Sequence, residues 1–314
     1  DQFFKIMKIL ICDKLEKEVL DKFNEIGEIN DISFSEEKEK ELLKNIVDSD
    51  IAVIRSSTKL NKDILQKARH LKIIARCGVG VDNIDIEAAT NNNIYVTNSP
   101  NANIISVAEL TIGLIISAAR KIHTSNNSLK GKKWDRSRFL GVELYGKQLG
   151  LIGFGKAARE VSKRMLAFGM DVVFYDPYVE ESDNHGKKVE LDELLKTSHV
   201  ISIHVVKTQE TLKLINNEKL NMIQPGAIIV NTSRGGIIDE EALFKLSEEN
   251  ILFGGLDVYI EEPPKIDDRF LNSDIVTTPH IGASTKEAQL KAGFETVKNV
   301  KDILNGDLSS VLNI

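Results

Sequence analysis

Short apolar runs alternate with amphipathic stretches along almost the whole chain. Lys8-Ile-Leu-Ile-Cys12 reads as a buried strand, and Leu15 to Ile26 follows at helical spacing. Ile51-Ala-Val-Ile54, Lys72-Ile-Ile-Ala75 and Ile94-Tyr-Val-Thr97 read as further strands with helix patterns between them. A long apolar stretch, Ile104 to Ile122, predicts a helix, and a polar, basic segment, Ser125 to Arg138, follows it with the only tryptophan, Trp134. A second alternation then starts. Its strands are predicted at Gln148 to Ile152, Asp171 to Tyr175, Val200 to His204, Ala227 to Asn231, Leu252 to Asp257 and Ile275 to Thr278, with a helical tail from Thr285 to Leu304. Strand–helix alternation implies parallel sheets covered on both faces. Two doubly wound α/β units are therefore expected, with boundaries near Ser99 and Gly282.

Size and composition agree with two domains: 314 residues, 42% hydrophobic and 28% charged. A net charge of -6 speaks against nucleic-acid binding through bulk charge. It leaves room for a small anionic substrate held by a few arginines. Cys12 and Cys77 sit in or beside apolar runs with no ligand spacing around them, so buried thiols are expected, and no metal. The start carries no secretory pattern, and Asp1 to Ile6, ahead of Met7, read as an addition to the natural chain. The stretch Ile104 to Ala119 contains Glu109 and falls short of the roughly 20 residues of a membrane span. A cytoplasmic protein without a membrane partner is expected.

The sharpest local signal is Leu149-Gly-Leu-Ile-Gly-Phe-Gly-Lys-Ala-Ala-Arg159, a strand, then Gly153-x-Gly155-x-x-Ala158, then a helix. Gly153 permits the tight turn and Gly155 lets backbone approach a pyrophosphate. Ala158 stands where a small residue lets helix and strand pack. The helix start aims free N–H groups at the anion. Asp176 follows about 20 positions after Gly155, at the end of the next strand. A carboxylate there suits the ribose hydroxyls of NAD and repels the 2′-phosphate of NADP, and Pro177 and Tyr178 offer no arginine for that phosphate.

Two further segments end predicted strands. Asn231-Thr-Ser-Arg-Gly-Gly236 places Arg234 in a flexible turn, and Thr278-Pro-His-Ile-Gly282 places His280 after the last strand. Arginine suits a planar carboxylate, although alone it also reads as a surface-turn residue. A lone histidine is more often structural. A carboxylate beside it would favour its charged form and fix its ring, and Glu261-Glu-Pro-Pro264 supplies candidates. Spacing leaves open whether Glu262 meets His280.

Several motifs in order carry a wider similarity: Arg55-Ser-Ser-Thr-Lys59, Arg76-Cys-Gly-Val-Gly-Val-Asp-Asn83, Asn98-Ser-Pro-Asn101, Trp134-Asp-Arg136, Asn231 to Gly236, Leu256-Asp-Val-Tyr259, Glu262-Pro263 and Pro279 to Gln289. By these the chain, from about Met7 onward, resembles the D-isomer-specific 2-hydroxyacid dehydrogenases, most closely their phosphoglycerate-oxidising branch. The resemblance implies a Rossmann NAD-binding domain (99–282) inserted into a flavodoxin-like substrate-binding domain (1–98 and 283–314), with the active site in the cleft between them. It implies a catalytic trio of Arg234, Glu262 and His280, Glu262 being chosen because it directly precedes Pro263. The implied cofactor is NAD, bound by Gly153, Phe154, Gly155, Lys156, Ala157, Asp176, His204, Val205, Thr232, Ser233, Asp257 and His280, with Asp257 on the nicotinamide amide. The implied substrate is a phosphorylated 2-hydroxy acid, D-3-phosphoglycerate. The backbone N–H groups of the Val79-Gly80-Val81 loop would serve its carboxylate, Arg55, Ser56, Arg76 and Arg136 its phosphate, and Arg234 its carboxylate and C2 oxygen, with Asn98 a further substrate-binding residue. A homodimer is implied, with Ile122 to Tyr145 as its arm. Glyoxylate/hydroxypyruvate reduction, another D-2-hydroxy acid, or an NAD-sensing binding protein are the competing functions. The chain departs from the family at His204-Val-Val206, where His-x-Pro is usual. Its end at Ile314 leaves no room for the regulatory domains of longer members, so serine feedback through them is not expected.

Overall fold

The apolar runs of three to five residues are too short for helices and become parallel strands. The computed structural model describes residues 6–180 and 184–314. Asp1 to Lys5, part of the segment read as an addition, lie outside the described residues. The chain divides into two compact units, Asp1–Asn103 with Ala283–Ile314, and Ile104–Gly282.

Unit 1 begins with β1 (Met7–Ile11), α1 (Lys17–Asn24), β2 (Gly27–Asp31), α2 (Lys38–Asn45), β3 (Ile51–Ile54), α3 (Lys62–Leu65), β4 (Ile73–Arg76), α4 (Ile86–Asn91) and β5 (Tyr95–Thr97). Unit 2 then runs through α5 (Ile104–Ala119), α6 (Ile122–Lys130), β6 (Gln148–Ile152), α7 (Lys156–Ala167), β7 (Asp171–Tyr175), β8 (Lys187–Lys188), α8 (Leu191–Thr197), β9 (Val200–Ile203), α9 (Asn217–Leu220), β10 (Ile228–Asn231), α10 (Glu240–Glu248), β11 (Phe253–Leu256), α11 (Asp268–Asn272) and β12 (Ile275–Thr277). The chain returns to unit 1 as α12 (Lys286–Leu304), capped by the Thr285 side chain on the Ala288 N–H at 3.0 Å.

In unit 1 the sheet order is β2-β1-β3-β4-β5, all parallel, which is the flavodoxin-like order. Successive residues serve opposite faces. Leu10, Ala52, Ile54 and Ile74 pack with Leu42, Leu65 and Ala88. Ile9, Ile11, Val53 and Ile73 pack with Val19, Phe23, Val297 and Ile303. Each of the leucine, isoleucine, valine and phenylalanine side chains among them, fully buried, contributes about 1.5–3 kcal/mol of transfer free energy, so neither face can be left uncovered. Unit 2 has the order β12-β11-β10-β9-β6-β7-β8, also parallel. Read from β8 this is the Rossmann order with a seventh strand added.

Three expectations need correction. The helix predicted over Ile104 to Ile122 stops at Ala119, because Lys121 takes a left-handed conformation (φ 51°). Its ammonium is held 3.3 Å from Asp274 and 5.1 Å from the centre of the Phe253 ring. The chain then re-enters a helix, so part of the segment read as merely polar is helical. Strand β2 was invisible to the apolar pattern because Gly-Glu-Ile-Asn-Asp lies at the sheet edge with largely exposed side chains. Unit 2 also begins at Ile104 rather than near Ser99, since Ser99 bonds within unit 1, to the Ala292 carbonyl and the Thr296 hydroxyl.

Cys12 and Cys77 are free and buried. Burial pushes the Cys77 thiol up to about 11 and the Cys12 thiol higher still, which makes both inert as nucleophiles. Among the described residues, no helix is long and apolar enough to cross a membrane.

Candidate active site

Open α/β sheets present ligand sites outside the carboxyl ends of their strands, where the strand order reverses. In unit 2 that point lies between β6 and β9. Gly153 follows β6 with φ 86°, and a Cβ there would stand 2.7 Å from the His204 carbonyl oxygen. Both the turn and the close approach therefore require glycine. Gly155 is the N-cap of the twelve-residue α7 and offers no side-chain cap to the free N–H groups, and a Cβ on it would meet nothing within 4 Å. An open, uncapped helix start fits an anion such as a pyrophosphate. Lys156 is exposed and Ala157 half-buried beside it, while Ala158 is fully buried and lets the helix sit close to β6.

Asp176 follows β7. One of its oxygens accepts from the Phe154 N–H and the other from the Tyr178 N–H, both at 2.8 Å. It thus ties the glycine turn to the end of β7. Phe154 contributes backbone only, because its ring is buried and stacked on Phe174 with centroids 4.0 Å apart. His204 bonds the Ser202 hydroxyl through Nε2 at 2.8 Å, and burial lowers its imidazole to about 4, so it is neutral near pH 7. Val205 packs on the Gly153 turn, and Val206 is exposed.

The reacting candidates cluster at the ends of β10, β11 and β12. His280 Nδ1 lies 2.6 Å from Glu262 Oε2, and Glu262 Oε1 accepts from the Tyr259 N–H at 3.1 Å. The side chains are 46% and 36% exposed, so the pair adds at most about 1 kcal/mol to stability. What it fixes is ring orientation, with the proton on Nδ1 assigned from the carboxylate partner. His280 has φ 51°, a left-handed conformation that costs a non-glycine residue about 1–3 kcal/mol unless the surroundings impose it.

Asp257 imposes it. Fully buried, it accepts from the Thr278 hydroxyl at 2.6 Å and the Ile281 N–H at 2.8 Å on one oxygen, and from the Gly282 N–H at 2.9 Å on the other. The Tyr259 hydroxyl adds bonds to the Leu256 and Thr278 carbonyls. Burial and the Asp257 charge push that phenol up, which keeps it a donor. A carboxylate offers about four acceptor positions, so Asp257 has three of them committed to the His280 turn.

The Arg234 turn is built against the same wall. Asn231 donates to the Arg234 carbonyl at 2.8 Å and accepts from Ser233. The Thr232 hydroxyl pairs with Thr111 of α5 at 2.7 Å. Arg234 Nη1 donates to the Ser233 carbonyl at 2.8 Å. Glu240 accepts from the Gly236 N–H, and burial raises its carboxyl above the usual range. Tyr259 and Glu240 were not singled out from the sequence. The signal for Tyr259 was an aromatic with a polar tip two positions past a strand-end aspartate.

In unit 1, Arg55 follows β3 and Arg76 ends β4, strands that pair with Ile54 opposite Arg76. A Cβ on Gly78 (φ 145°) would meet Arg76 Nη1 at 2.3 Å, so a larger residue in the loop after β4 would push that flexible guanidinium aside. Asn98 donates to the Val79 carbonyl at 2.6 Å and so orients the Val79–Gly80 loop. Ser56 is exposed. Arg136 belongs to unit 2, exposed in the 3-10 turn Arg136–Phe139. Among the described residues no group of histidine, cysteine and acidic side chains could hold a metal.

Comparison with known proteins places these features. Residues 112–282 match the model of the D-isomer specific 2-hydroxyacid dehydrogenase NAD binding domain. The chain is 45% identical to the D-3-phosphoglycerate dehydrogenase of Methanocaldococcus jannaschii over 98% of its own length, and spans 60% of that protein. It is 45% identical to the hydroxypyruvate reductase of Thermotoga maritima, over 93% of this chain and 97% of that protein. The crystal structure of NAD-bound 3-phosphoglycerate dehydrogenase from Entamoeba histolytica is similar with a TM-score of 0.81 at 30% identity, covering 98% of this chain and 99% of that one. The chain belongs to the D-isomer specific 2-hydroxyacid dehydrogenase family, and residues 112–282 make up its NAD binding domain.

Proposed function

We propose that this chain is an NAD-dependent D-2-hydroxyacid dehydrogenase that oxidises D-3-phosphoglycerate to 3-phosphohydroxypyruvate, the entry to serine synthesis. The observation that carries the chemistry is the 2.6 Å contact between His280 Nδ1 and Glu262 Oε2. With Nδ1 occupied, Nε2 is the nitrogen left to take the C2 hydroxyl proton, and the carboxylate faces the imidazolium that forms. Arg234 offers a planar fork to the substrate carboxylate and C2 oxygen. Bound NAD supplies the acceptor for the C2 hydride. Gly153, Phe154, Gly155, Lys156 and Ala157 would hold its pyrophosphate and Asp176 its adenosine ribose. His204, Val205, Thr232 and Ser233 would line its path, and the remaining acceptor of Asp257 would take its amide. Unit 1 serves as the substrate domain in this reading. Val79, Gly80 and Asn98 hold the carboxylate, and Arg55, Ser56 and Arg76, with Arg136, hold the phosphate.

A second reading has a specific observation behind it. The Thermotoga maritima hydroxypyruvate reductase matches over nearly its whole length. This second reading keeps the trio and the cofactor for this chain and removes the work of the phosphate arginines. A homodimer through the Ile122–Tyr145 segment is proposed as well, supported by exposed Leu129, Trp134, Leu140 and Tyr145.

The test is NADH formation with D-3-phosphoglycerate, D-glycerate and D-lactate, and NADH oxidation with the phosphorylated and unphosphorylated keto acids. A kcat/KM preference for phosphate above about tenfold, roughly 1.4 kcal/mol, supports the first reading. Preference for hydroxypyruvate selects the second.

A further inference from the structure

The loop that carries Arg55 and Ser56 is not held by the strand ladder. The last backbone bonds of that ladder are from the Cys12 N–H to the Val53 carbonyl and from the Cys77 N–H to the Ile54 carbonyl, both 2.9 Å. Beyond them, two side chains take over. Asp13, two residues past β1 and 3% exposed, accepts from the Arg55 N–H at 2.5 Å, the Ser57 hydroxyl at 2.5 Å, and the Thr58 hydroxyl and N–H at 2.9 and 3.3 Å. The Lys38 ammonium completes the set. On the other side, the Asn83 amide donates to the Arg55 carbonyl at 2.7 Å and the Thr58 carbonyl at 2.6 Å. Both peptide groups of Arg55 are thus tied by side chains, and its guanidinium rests 3.4 Å from the Lys14 carbonyl.

A carboxylate is buried only where donors compensate it. Here four of its five donor groups come from the segment 55–58. Lys38 balances the carboxylate charge, which leaves the Arg55 charge available to an outside anion. We propose that Asp13, with Asn83 opposite, is a positioning residue for phosphate selectivity: it holds the Arg55–Ser56 segment in its binding conformation before substrate arrives. This rests on the phosphoglycerate reading above. A loop ordered in advance loses less freedom on binding, so the clamp acts on affinity for the phosphorylated substrate and not on the chemical step.

The experiment compares Asp13→Asn, Asn83→Ala and Ser57→Ala in the full chain. It reads kcat and KM for D-3-phosphoglycerate and for D-glycerate, together with NADH affinity by fluorescence. The expected result is a rise of about tenfold or more in KM for the phosphorylated acid in the first two variants. With kcat, NADH affinity and the KM for glycerate within about twofold, the KM change is confined to phosphate; a general loss of structure would move all four quantities together. Ser57→Ala removes one donor and is expected to give about a threefold rise, so it serves if Asp13→Asn does not fold. If wild type prefers phosphate and all folded variants keep that preference, the clamp is overturned alone. If wild type shows no preference, the phosphoglycerate reading falls and the clamp with it.

Discussion

Replacing Gly235 with alanine adds one methyl group where backbone already stands. The new Cβ would lie 1.8 Å from the Tyr259 carbonyl oxygen, 1.9 Å from its carbon and 2.5 Å from the Ile260 nitrogen. Real Cβ contacts do not fall below 3.0 Å, so the two turns must part by at least about 1.2 Å. Neither turn is free to do so. The Tyr259 turn is tied to Glu262 and Thr278. The Arg234 turn is tied to Asn231 on one side and Glu240 on the other. Whichever yields, Arg234 moves relative to the Glu262–His280 pair. A misplacement of about 1 Å costs on the order of 10²-fold in turnover, or about 2.7 kcal/mol in the barrier, while overpacking costs the fold about 1–3 kcal/mol. Steady-state kinetics and a thermal melt of Gly235→Ala measure both. Gly113→Ala is the control, because that glycine sits exposed in α5 with nothing within 4 Å of the added carbon. It should keep activity and gain about 0.4–1 kcal/mol. Turnover of Gly235→Ala within about threefold of wild type, with an unchanged melt, would refute the claim that these two turns fix each other.

His280→Ala should lower kcat by about 10²–10⁴, the usual share of acid–base catalysis; near-normal turnover would remove His280 from its role. Asp176→Ala should shift the NAD-to-NADP preference toward NADP by about tenfold or more through loss of the repelling charge, and an unchanged affinity ratio would sink that assignment. His204 gives a pH dependence. Its folded value of about 4 lies below the unfolded value near 6.5, so the unfolded chain takes up the proton first as pH falls. Stability from its neutral burial is complete above about 6.5 and is lost down to about 4, a difference on the order of 3 kcal/mol at about 1.4 kcal/mol per pH unit. Urea unfolding of wild type and His204→Gln between pH 7 and 4 should show the flatter profile in the variant; parallel profiles would contradict it. For Asp13, burial alone would raise the carboxyl, yet the Lys38, Ser57, Arg55 and Thr58 donors hold it below its usual range. Its contribution is therefore present above the unfolded value near 4 and lost in more acid solution, so Asp13→Asn should resist acid unfolding there relative to its own neutral-pH stability. An acid midpoint that follows the wild type's relative loss would contradict it.

Where burial dictates residue type, the sequence was legible. Central strands such as Ile51–Ile54 and Val200–Ile203 are buried at every position, and their apolar residues, interrupted only by Ser202, marked them. The edge strand Gly27–Asp31 has one partner and mostly exposed side chains, so nothing required it to be apolar. The glycine turn after β6 was readable because Gly153 has no room for a Cβ. The pairing of Glu262 with His280 was not, since it depends on how two loops 18 residues apart meet at the ends of β11 and β12. Asp13 was missed for the same reason: its partners lie 25 to 45 positions away, and a strand followed by an aspartate is common.

The return of α12 to unit 1 sets the order in which the protein can be completed during synthesis. Val297, Val300 and Ile303 are part of the wall that covers Ile9, Ile11, Val53 and Ile73. Unit 2 has all its residues once Gly282 has been added, whereas the unit holding the N-terminus must wait for Leu304. At about 5–20 residues per second, the roughly 200 residues from Asn103 to Leu304 take about 10–40 s. For that time the part of this face that α12 covers is exposed apolar surface on a ribosome-bound chain, and of the two units the one that begins first is completed second.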